Sequence, residues 1–153
     1  MLSVQPLDDA KAIAAIYADP YIASRIGHDH RPAAPIEHPA ARYLGAYADG
    51  ELVGAFLVIE SGFIEWDIHA LLTRRALPFC RDLGRACIAW CFAQPARIER
   101  VTAYVIEGLE SARNYCLHLG FRAEGFRRAA LCVGGQLRGI YVLGLTRREW
   151  GAA

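Results

Sequence analysis

The segment that decides the fold of this chain runs from Ser111 to Gly125 and reads Ser-Ala-Arg-Asn-Tyr-Cys-Leu-His-Leu-Gly-Phe-Arg-Ala-Glu-Gly. Its pattern predicts a short helix that ends at Gly120, because glycine adopts the left-handed backbone that closes a helix. Phe121 follows and can fold back onto the last helical turn as a hydrophobic cap. We therefore expect a helix here and a strand leaving directly after it.

The sequence on either side of this helix has the pattern of strands. A strand-like run from Val101 to Ile106 leads into the helix. A strand pair follows it, from Phe126 to Val133 and from Gln136 to Thr146, with the turn at Gly134-Gly135. Two apolar runs separated by two glycines are typical of a β-hairpin.

The first 40 residues predict one strand and two short helices. Leu2 to Leu7 is the strand, and Asp8 or Asp9 can cap a helix that continues to Tyr17. A second short helix is expected from Tyr21 to Ile26. A polar loop then runs from Gly27 to about His38.

The middle of the chain predicts two consecutive hairpins and then the longest helix. The helix begins near Pro78, which suits a first helical turn, and Gln94-Pro95 ends it. The three strands before it are Ala41 to Ala48, Leu52 to Ile59 and Phe63 to Leu72, with turns at Asp49-Gly50 and Ser61-Gly62.

This order of elements defines the fold class. The long helix connects two strands, and such a crossover makes them parallel, whereas the hairpins on either side are antiparallel. We predict an α+β (mixed α/β) fold in a single domain, residues 1–153, with a central mixed, mostly antiparallel sheet of about seven strands and helices on both faces.

Composition narrows the functional classes. With 17 basic and 16 acidic residues the formal net charge is +1, which argues against nucleic-acid binding and against a membrane surface as partner. Every apolar stretch is broken by charge before it could span a bilayer. The five cysteines form no Cys-x-x-Cys pair and are expected to be reduced and buried. These features predict a protein of the bacterial cytoplasm.

Two segments carry a resemblance to the GNAT superfamily of N-acetyltransferases. One is the helix end Cys116-Leu-His-Leu-Gly120-Phe121, continued by Arg-Ala-Glu-Gly125, and the other is the chain end from Leu143 to Trp150. With the order of elements, the likeness covers nearly the whole chain. A strand with His69 near its end, before a helix closing in Trp90-Cys-Phe92, is similar to short GNAT-like proteins of tailed bacteriophages.

The resemblance implies an acetyl-CoA-dependent N-acetyltransferase with a small-molecule or protein amine as acceptor. It implies that Leu71, Leu72, Arg74, Arg75 and Ala76 contact the cofactor. The family carries spaced glycines in this loop, but this chain has Thr-Arg-Arg-Ala-Leu-Pro at residues 73–78, with no glycine and with a proline that lacks an N–H. The two arginines are equally well explained as solvated side chains.

Acetyl transfer needs a base for the amine and an acid for the leaving thiolate. Strand alternation predicts that Glu65, Asp67 and His69 share a face, and any of them could be the base. A solvated strand face explains the two carboxylates equally well, and a structural role is the stronger interpretation of His69. Cys116, at the place of the family's usual tyrosine, or Tyr115 beside it could be the acid, although helix packing is the commoner role of such a cysteine.

Two functions therefore remain open. The first is the acetyltransferase, acting by direct transfer in a ternary complex. The second is a catalytically degenerate GNAT fold that serves as a structural or binding part, for example among the structural proteins of a phage particle, in which case the protein would be associated with the virion. His28, Asp29 and His30 are too few for a convincing metal site, so no metal is expected.

Overall fold

A computed structural model describes residues 1–152. The elements follow the predicted order from the first strand to the last. They are β1 (Leu2–Pro6), α1 (Ala10–Ala18), α2 (Pro20–Ile26), β2 (Ala41–Ala48), β3 (Glu51–Ile59), β4 (Glu65–Leu72), a 3-10 helix (Arg74–Phe79), α3 (Cys80–Phe92), β5 (Arg100–Ile106), α4 (Glu110–His118), β6 (Arg122–Val133), β7 (Gln136–Thr146) and α5 (Arg147–Ala152).

The seven strands form one mixed sheet in the order β1-β2-β3-β4-β5-β7-β6. Only β4 and β5 are parallel, and every other neighbouring pair is antiparallel. This arrangement confirms the predicted α+β fold, because α3 is the crossover that makes its two flanking strands run in the same direction.

The parallel pair is short, and this shapes the centre of the molecule. Glu65–Asp67 pair with Arg100–Thr102, but no pairing continues beyond them. The rest of β4 stays paired with β3, and the rest of β5 with β7. The sheet therefore divides at its middle, and the facing edges of β4 and β5 are left without a strand partner.

Helices cover both faces of the sheet and separate the core into two clusters. Alternate residues of β3 point to opposite faces, so that Phe56 and Val58 join the cluster under α3 and α4. Ala55 and Leu57 join the cluster under α1 and α2. The predicted helices on both faces are thus confirmed.

Gly120 ends α4 as the sequence predicts. Its φ of +102° lies in the region that favours glycine, and its N–H donates to the carbonyl of Leu117 at 3.1 Å. The N–H of Phe121 reaches back to the carbonyl of Cys116 at 3.1 Å, and the phenyl ring is only 5% exposed. These two bonds and the buried ring form the glycine-based helix stop expected of this segment.

The structure differs from the prediction by more than one residue at the start of two strands, at Pro78 and at the end of the chain. β4 begins at Glu65, because a turn bonds the Gly62 N–H to the Glu65 carbonyl and leaves Phe63 fully exposed. Pro78 lies inside a 3-10 helix that precedes α3. The strand β6 begins at Arg122 instead of Phe126. The short α5 after the last strand was not predicted.

All helices are short. The longest, α3, has 13 residues, and none within residues 1–152 combines the length and apolar character needed to cross a membrane.

Candidate functional site

The divergence of β4 and β5 opens a cavity of about 370 Å³ through the middle of the sheet. Its walls come from Ile68–Leu71 on β4 and Ala103–Ile106 on β5. The cavity reaches both faces, because Leu57 on the α1/α2 side and Phe56 on the α3/α4 side both line it. Two ligands could therefore approach each other here from opposite faces of the sheet.

His69 is the titratable side chain that β4 contributes to the cavity wall. Its ring is stacked against that of Tyr104 on β5, with centroids 6.5 Å apart and planes inclined by 19°. Burial lowers the pKa of His69 below its usual range, since the imidazolium loses hydration there. At neutral pH the side chain is a neutral imidazole that can accept a proton.

Tyr104 is a cavity residue that the sequence analysis missed. Burial raises the pKa of its phenol, and the charges of Asp67 and Glu65 raise it further, so the group keeps its proton at neutral pH. The available signal was its position, since Tyr104 is the one polar side chain in the second half of the apolar strand Arg100–Ile106.

Glu65 shares the strand face of His69, as predicted, but an ion-pair network holds it. Its Oε2 accepts a hydrogen bond from Thr102 Oγ1 at 2.8 Å and forms an ion pair with Arg100 Nε, also at 2.8 Å. The Arg100 guanidinium also pairs with Glu124. Because the carboxylate already has a cation and a buried hydroxyl as partners, it is poorly placed to act as a base.

Gly144 on β7 permits this network. The strand β7 lies between β5 and β6, so Arg100 and Glu124 must reach each other across it. A Cβ on Gly144 would collide with the Arg100 guanidinium and with the Glu124 carboxylate. The missing side chain is therefore what lets the ion pair form over the strand.

Asp67 lies between Glu65 and His69 and is not part of the cavity wall. Its carboxylate accepts a hydrogen bond from Ser61 Oγ at 3.0 Å. Burial raises the pKa of Asp67, and the bond from Ser61 opposes that change. The carboxylate is half-buried. It lies close enough to Tyr104 for its charge to add to the rise in the phenol pKa that burial causes.

Tyr115 and Cys116, the predicted acids, both line the α4 side of the cavity. The Tyr115 hydroxyl donates to the carbonyl of Cys80 at 2.7 Å, and burial raises the pKa of this phenol well above its usual range. Cys116 is 9% exposed, and burial raises the pKa of its thiol to about 11. This thiol is a weaker acid than an ordinary cysteine thiol, whose pKa is about 8.5, so transfer of its proton to a thiolate is unfavourable.

The predicted cofactor segment turns away from β4 at the end of the cavity. Leu71, Leu72 and Ala76 are buried, and Arg75 forms an ion pair with Glu51. In the first turn of the 3-10 helix the Ala76 N–H donates to the carbonyl of Thr73 at 3.0 Å, and no side chain caps the N–H groups before it. Pro78 itself has no N–H.

Arg74 belongs to a chain of contacts that reaches the cavity through Arg25, the member of the chain that lines it. Its guanidinium lies 5.0 Å from the centre of the Tyr21 ring, and that of Arg25 lies 5.2 Å from the same ring. Arg25 also donates to Ser111 Oγ at 2.7 Å, next to the start of α4. We call Arg25, Arg74, Tyr21 and Ser111 the mouth cluster. The sequence analysis named only Arg74 of this set as functional.

A clasp between the loop after α2 and the β6–β7 turn holds another part of the cavity wall. The Asp29 carboxylate accepts from the N–H groups of Gly134 at 2.9 Å and Gly135 at 2.8 Å. The bond from Gly135 and, to a smaller extent, the bond from Gly134 lower the pKa of the Asp29 carboxyl group. The Asp29 N–H donates to the carbonyl of Cys132, whose own N–H donates to His30 Nε2 at 3.1 Å.

The polar loop is therefore structural at Asp29 and His30. No group of three or more histidine, cysteine or acidic side chains within residues 1–152 is arranged to hold a metal ion. The five cysteines are all unpaired, with Cys87, Cys91 and Cys116 buried and Cys80 and Cys132 half-buried.

Charge is distributed unevenly around the cavity. Its charged lining residues are Arg25 and Arg31, and no aspartate or glutamate in residues 1–152 lines it. Arg25 is bonded within the mouth cluster. Arg31 follows the clasp and makes no ion pair with another residue of this range.

No protein-family model matches the sequence. The fold, in contrast, closely matches solved structures. The crystal structure of spermidine N-acetyltransferase from Vibrio cholerae in complex with CoA and spermine superposes with a TM-score of 0.81 at 15% identity, covering 97% of both chains. A structure named "Probable acetyltransferase" gives 0.75 at 18% identity, covering 97% of this chain and 94% of the other.

A third match is a mutant form of the spermidine/spermine N-acetyltransferase SpeG from Vibrio cholerae. It superposes with a TM-score of 0.79 at 14% identity, covering 99% of this chain and 96% of the other. These likenesses show that the chain has the fold of GNAT acetyltransferases over almost its whole length.

Proposed function

We propose that this protein is an N-acetyltransferase that transfers an acetyl group from acetyl-CoA to an amine. The observation that carries the proposal is His69, a neutral imidazole in the cavity that opens where β4 and β5 diverge. The fold supports it, since the similar structures are acetyltransferases and one of them was solved with CoA.

The residues present fit acetyl-CoA, which supplies an acetyl group activated as a thioester. The unpaired edge of β4 beyond Asp67 offers backbone groups to an extended chain, as a neighbouring strand would. Arg25 and Arg74 place two positive charges at the mouth of the cavity, where they suit a diphosphate. Leu71 and Leu72 support this edge from the core.

The chemical roles follow from position and charge. His69 accepts the proton that the amine gives up as its nitrogen bonds to the acetyl carbon, and this proton passes to the CoA sulfur as the C–S bond breaks, so that CoA leaves as a thiol. Backbone N–H groups on the open edge of β4 stabilise the negative charge that develops on the acyl oxygen. Because the cavity reaches both faces of the sheet, donor and acceptor meet in one complex and transfer is direct. Tyr115 and Cys116 are assigned packing roles in this scheme.

The test combines binding and turnover. Titration calorimetry with acetyl-CoA should show saturable binding, and release of the CoA thiol in the presence of a panel of amines should show transfer. A folded protein that binds no acetyl-CoA at millimolar concentration would refute the proposal. Arg74→Gln should weaken binding, whereas Arg42→Gln, which removes an arginine paired with Glu60 outside the cavity, should not.

The structural-component function remains the second candidate. The glycine-free 3-10 helix Arg74–Phe79, with Pro78 inside it, favours it because this turn offers fewer N–H groups than a glycine loop. Association with a phage particle and the likeness to phage proteins are part of this proposal, and a cytoplasmic location is part of the enzymatic one. Mass spectrometry of purified virions tests it: a fixed copy number supports the structural role, and absence contradicts it.

A further inference from the structure

We propose that the acceptor is an apolar amine that carries a carboxylate, as a hydrophobic α-amino acid does, and that Arg31 binds this carboxylate. The inference rests on the proposed acetyltransferase function and names the substrate class of the same cavity. It excludes polyamines as acceptors. Three observations carry it: the apolar character of the acceptor side, its lack of acidic side chains and the position of Arg31.

The acceptor side of the cavity is apolar. The α1/α2 face of the sheet, the loop after α2 and the last two strands supply aliphatic side chains that exclude water. They are Ile26, Ile36, Leu57, Leu131 and Ile140. A ligand that fills this space buries a hydrocarbon group, and burial of such a group stabilises the complex.

Polyamines do not suit this cavity. A polyammonium chain needs carboxylates along its length, because a desolvated cation without an anionic partner is strongly unfavourable. The lining includes no aspartate or glutamate from residues 1–152, and its charged members are both arginines. Asp29, an acidic residue of the loop, uses both oxygens to accept from the Gly134 and Gly135 N–H groups.

The backbone of Arg31 is anchored, and its side chain is exposed with a guanidinium that is unpaired among the described residues. Its N–H donates to the carbonyl of His28 at 3.3 Å, and the residue follows directly after the clasp residues Asp29 and His30. Its side chain lines the cavity near Tyr17. Burial raises the pKa of the Tyr17 phenol, and the positive charge of Arg31 opposes that rise. Within residues 1–152 no carboxylate pairs with it, so a ligand carboxylate would meet an arginine fork with free donors.

The two histidines beside it do not compete for this role. His28 Nδ1 accepts the His30 N–H at 3.3 Å, and His30 Nε2 accepts the Cys132 N–H at 3.1 Å. One nitrogen of each ring is thus already bonded to a backbone N–H. Within residues 1–152, the unpaired guanidinium on the acceptor side is that of Arg31.

The experiment compares matched pairs that differ only in the carboxylate: L-leucine with isoamylamine, and L-phenylalanine with 2-phenylethylamine, with spermidine as a fifth amine. We expect kcat/KM for the amino acid to exceed that for its decarboxylated partner by about tenfold or more. Arg31→Gln should abolish this preference by lowering kcat/KM for the two amino acids about tenfold. Arg42→Gln is the matched control, and Arg31→Lys should retain part of the preference.

Binding separates failure of this inference from failure of the proposed function. If no amine is acetylated, titration calorimetry of the amino acids still tests the site: binding that Arg31→Gln weakens about tenfold supports it even though the enzymatic function fails. Spermidine turned over better than either amino acid, or a preference that survives Arg31→Gln, would overturn the inference. So would acetylation of the decarboxylated amines with no detectable binding of the amino acids.

Discussion

The two ends of the β4–β5 pair differ sharply although the same strands form both. At the paired end, Glu65 is fixed by Arg100 and Thr102, and the strands are bridged by side chains as well as backbone. At the open end, His69 and Tyr104 face each other across a cavity. Glu65 and His69 lie four positions apart on one strand face and have different roles. Glu65 joins β4 to β5, and His69 lines the cavity where the two strands separate.

The largest expected effect of this division is on catalysis. His69→Ala should lower kcat/KM by about 100-fold to 10,000-fold, because general-base catalysis contributes on that scale. Thiol release under saturating acetyl-CoA measures it, and calorimetry should show acetyl-CoA binding unchanged. Retention of more than a tenth of the wild-type value would place the base elsewhere.

The pH profile sharpens the same assignment. Since burial lowers the pKa of His69, kcat/KM should rise with pH through a value below about 6.5 and then level off. Stability should change in the same sense. The unfolded chain binds a proton that the native imidazole binds less well, so the free energy of unfolding falls as pH drops from about 6.5 through the native pKa. The loss should be absent in His69→Ala.

At the paired end the expected effect is on stability. Glu65→Ala leaves the hydroxyl of Thr102, which is 2% exposed, without its acceptor and should reduce the free energy of unfolding by about 1–3 kcal/mol. Urea unfolding measures this change. Glu65→Gln keeps an oxygen acceptor and should lose less. Per folded molecule, kcat/KM should stay within about threefold of wild type, and a loss as large as that of His69→Ala would contradict the division.

Cys116 tests whether the α4 wall takes part in chemistry. Cys116→Ala should lower kcat by no more than about threefold, because a buried thiol with a pKa of about 11 gives up its proton poorly. Stability should fall by about 1 kcal/mol from the lost packing. Both are measured by the assays above. A loss of kcat beyond about 100-fold in a folded variant would restore the acid role predicted from the sequence.

The smallest effect is expected at Asp67, between the two ends. Its pKa is raised by burial, so the ionised carboxylate opposes folding at neutral pH. Asp67→Asn keeps a partner for Ser61 and should stabilise the protein by a few tenths of a kcal/mol at pH 7. The sign follows from linkage. The contribution of Asp67 to the free energy of unfolding falls as pH rises from about 3.8 through its raised native pKa. Equal stability of the two proteins at pH 7 would contradict this.

Local signals in the sequence predicted most of the fold. Gly120 and Phe121 define a helix end by backbone conformation alone, and alternation along β4 correctly placed Glu65, Asp67 and His69 on one face. The start of β6 was harder, because its first residues are exposed and polar and show no alternation of burial.

The site was less predictable because its contacts are distant in sequence. Glu65 and His69 are equivalent by strand alternation, and only Arg100, which pairs with Glu65, distinguishes them. Arg100 also pairs with Glu124 across β7, and this contact needs the missing side chain of Gly144. No local pattern in the sequence of β7 indicates that requirement. Arg31 had the same difficulty, since its place at the cavity is set by Asp29 bonding a turn 105 residues away.

The clasp also has a consequence for the time at which the acceptor wall can form. Asp29 and His30 are made early in synthesis, but their partners Cys132, Gly134 and Gly135 leave the ribosome about a hundred residues later. Contacts of such large sequence separation form late, because the intervening chain must be ordered first. A nascent chain can complete β1 to β4 while its acceptor wall is still absent. Protection of the loop from proteolysis should therefore be among the last signs of folding to appear.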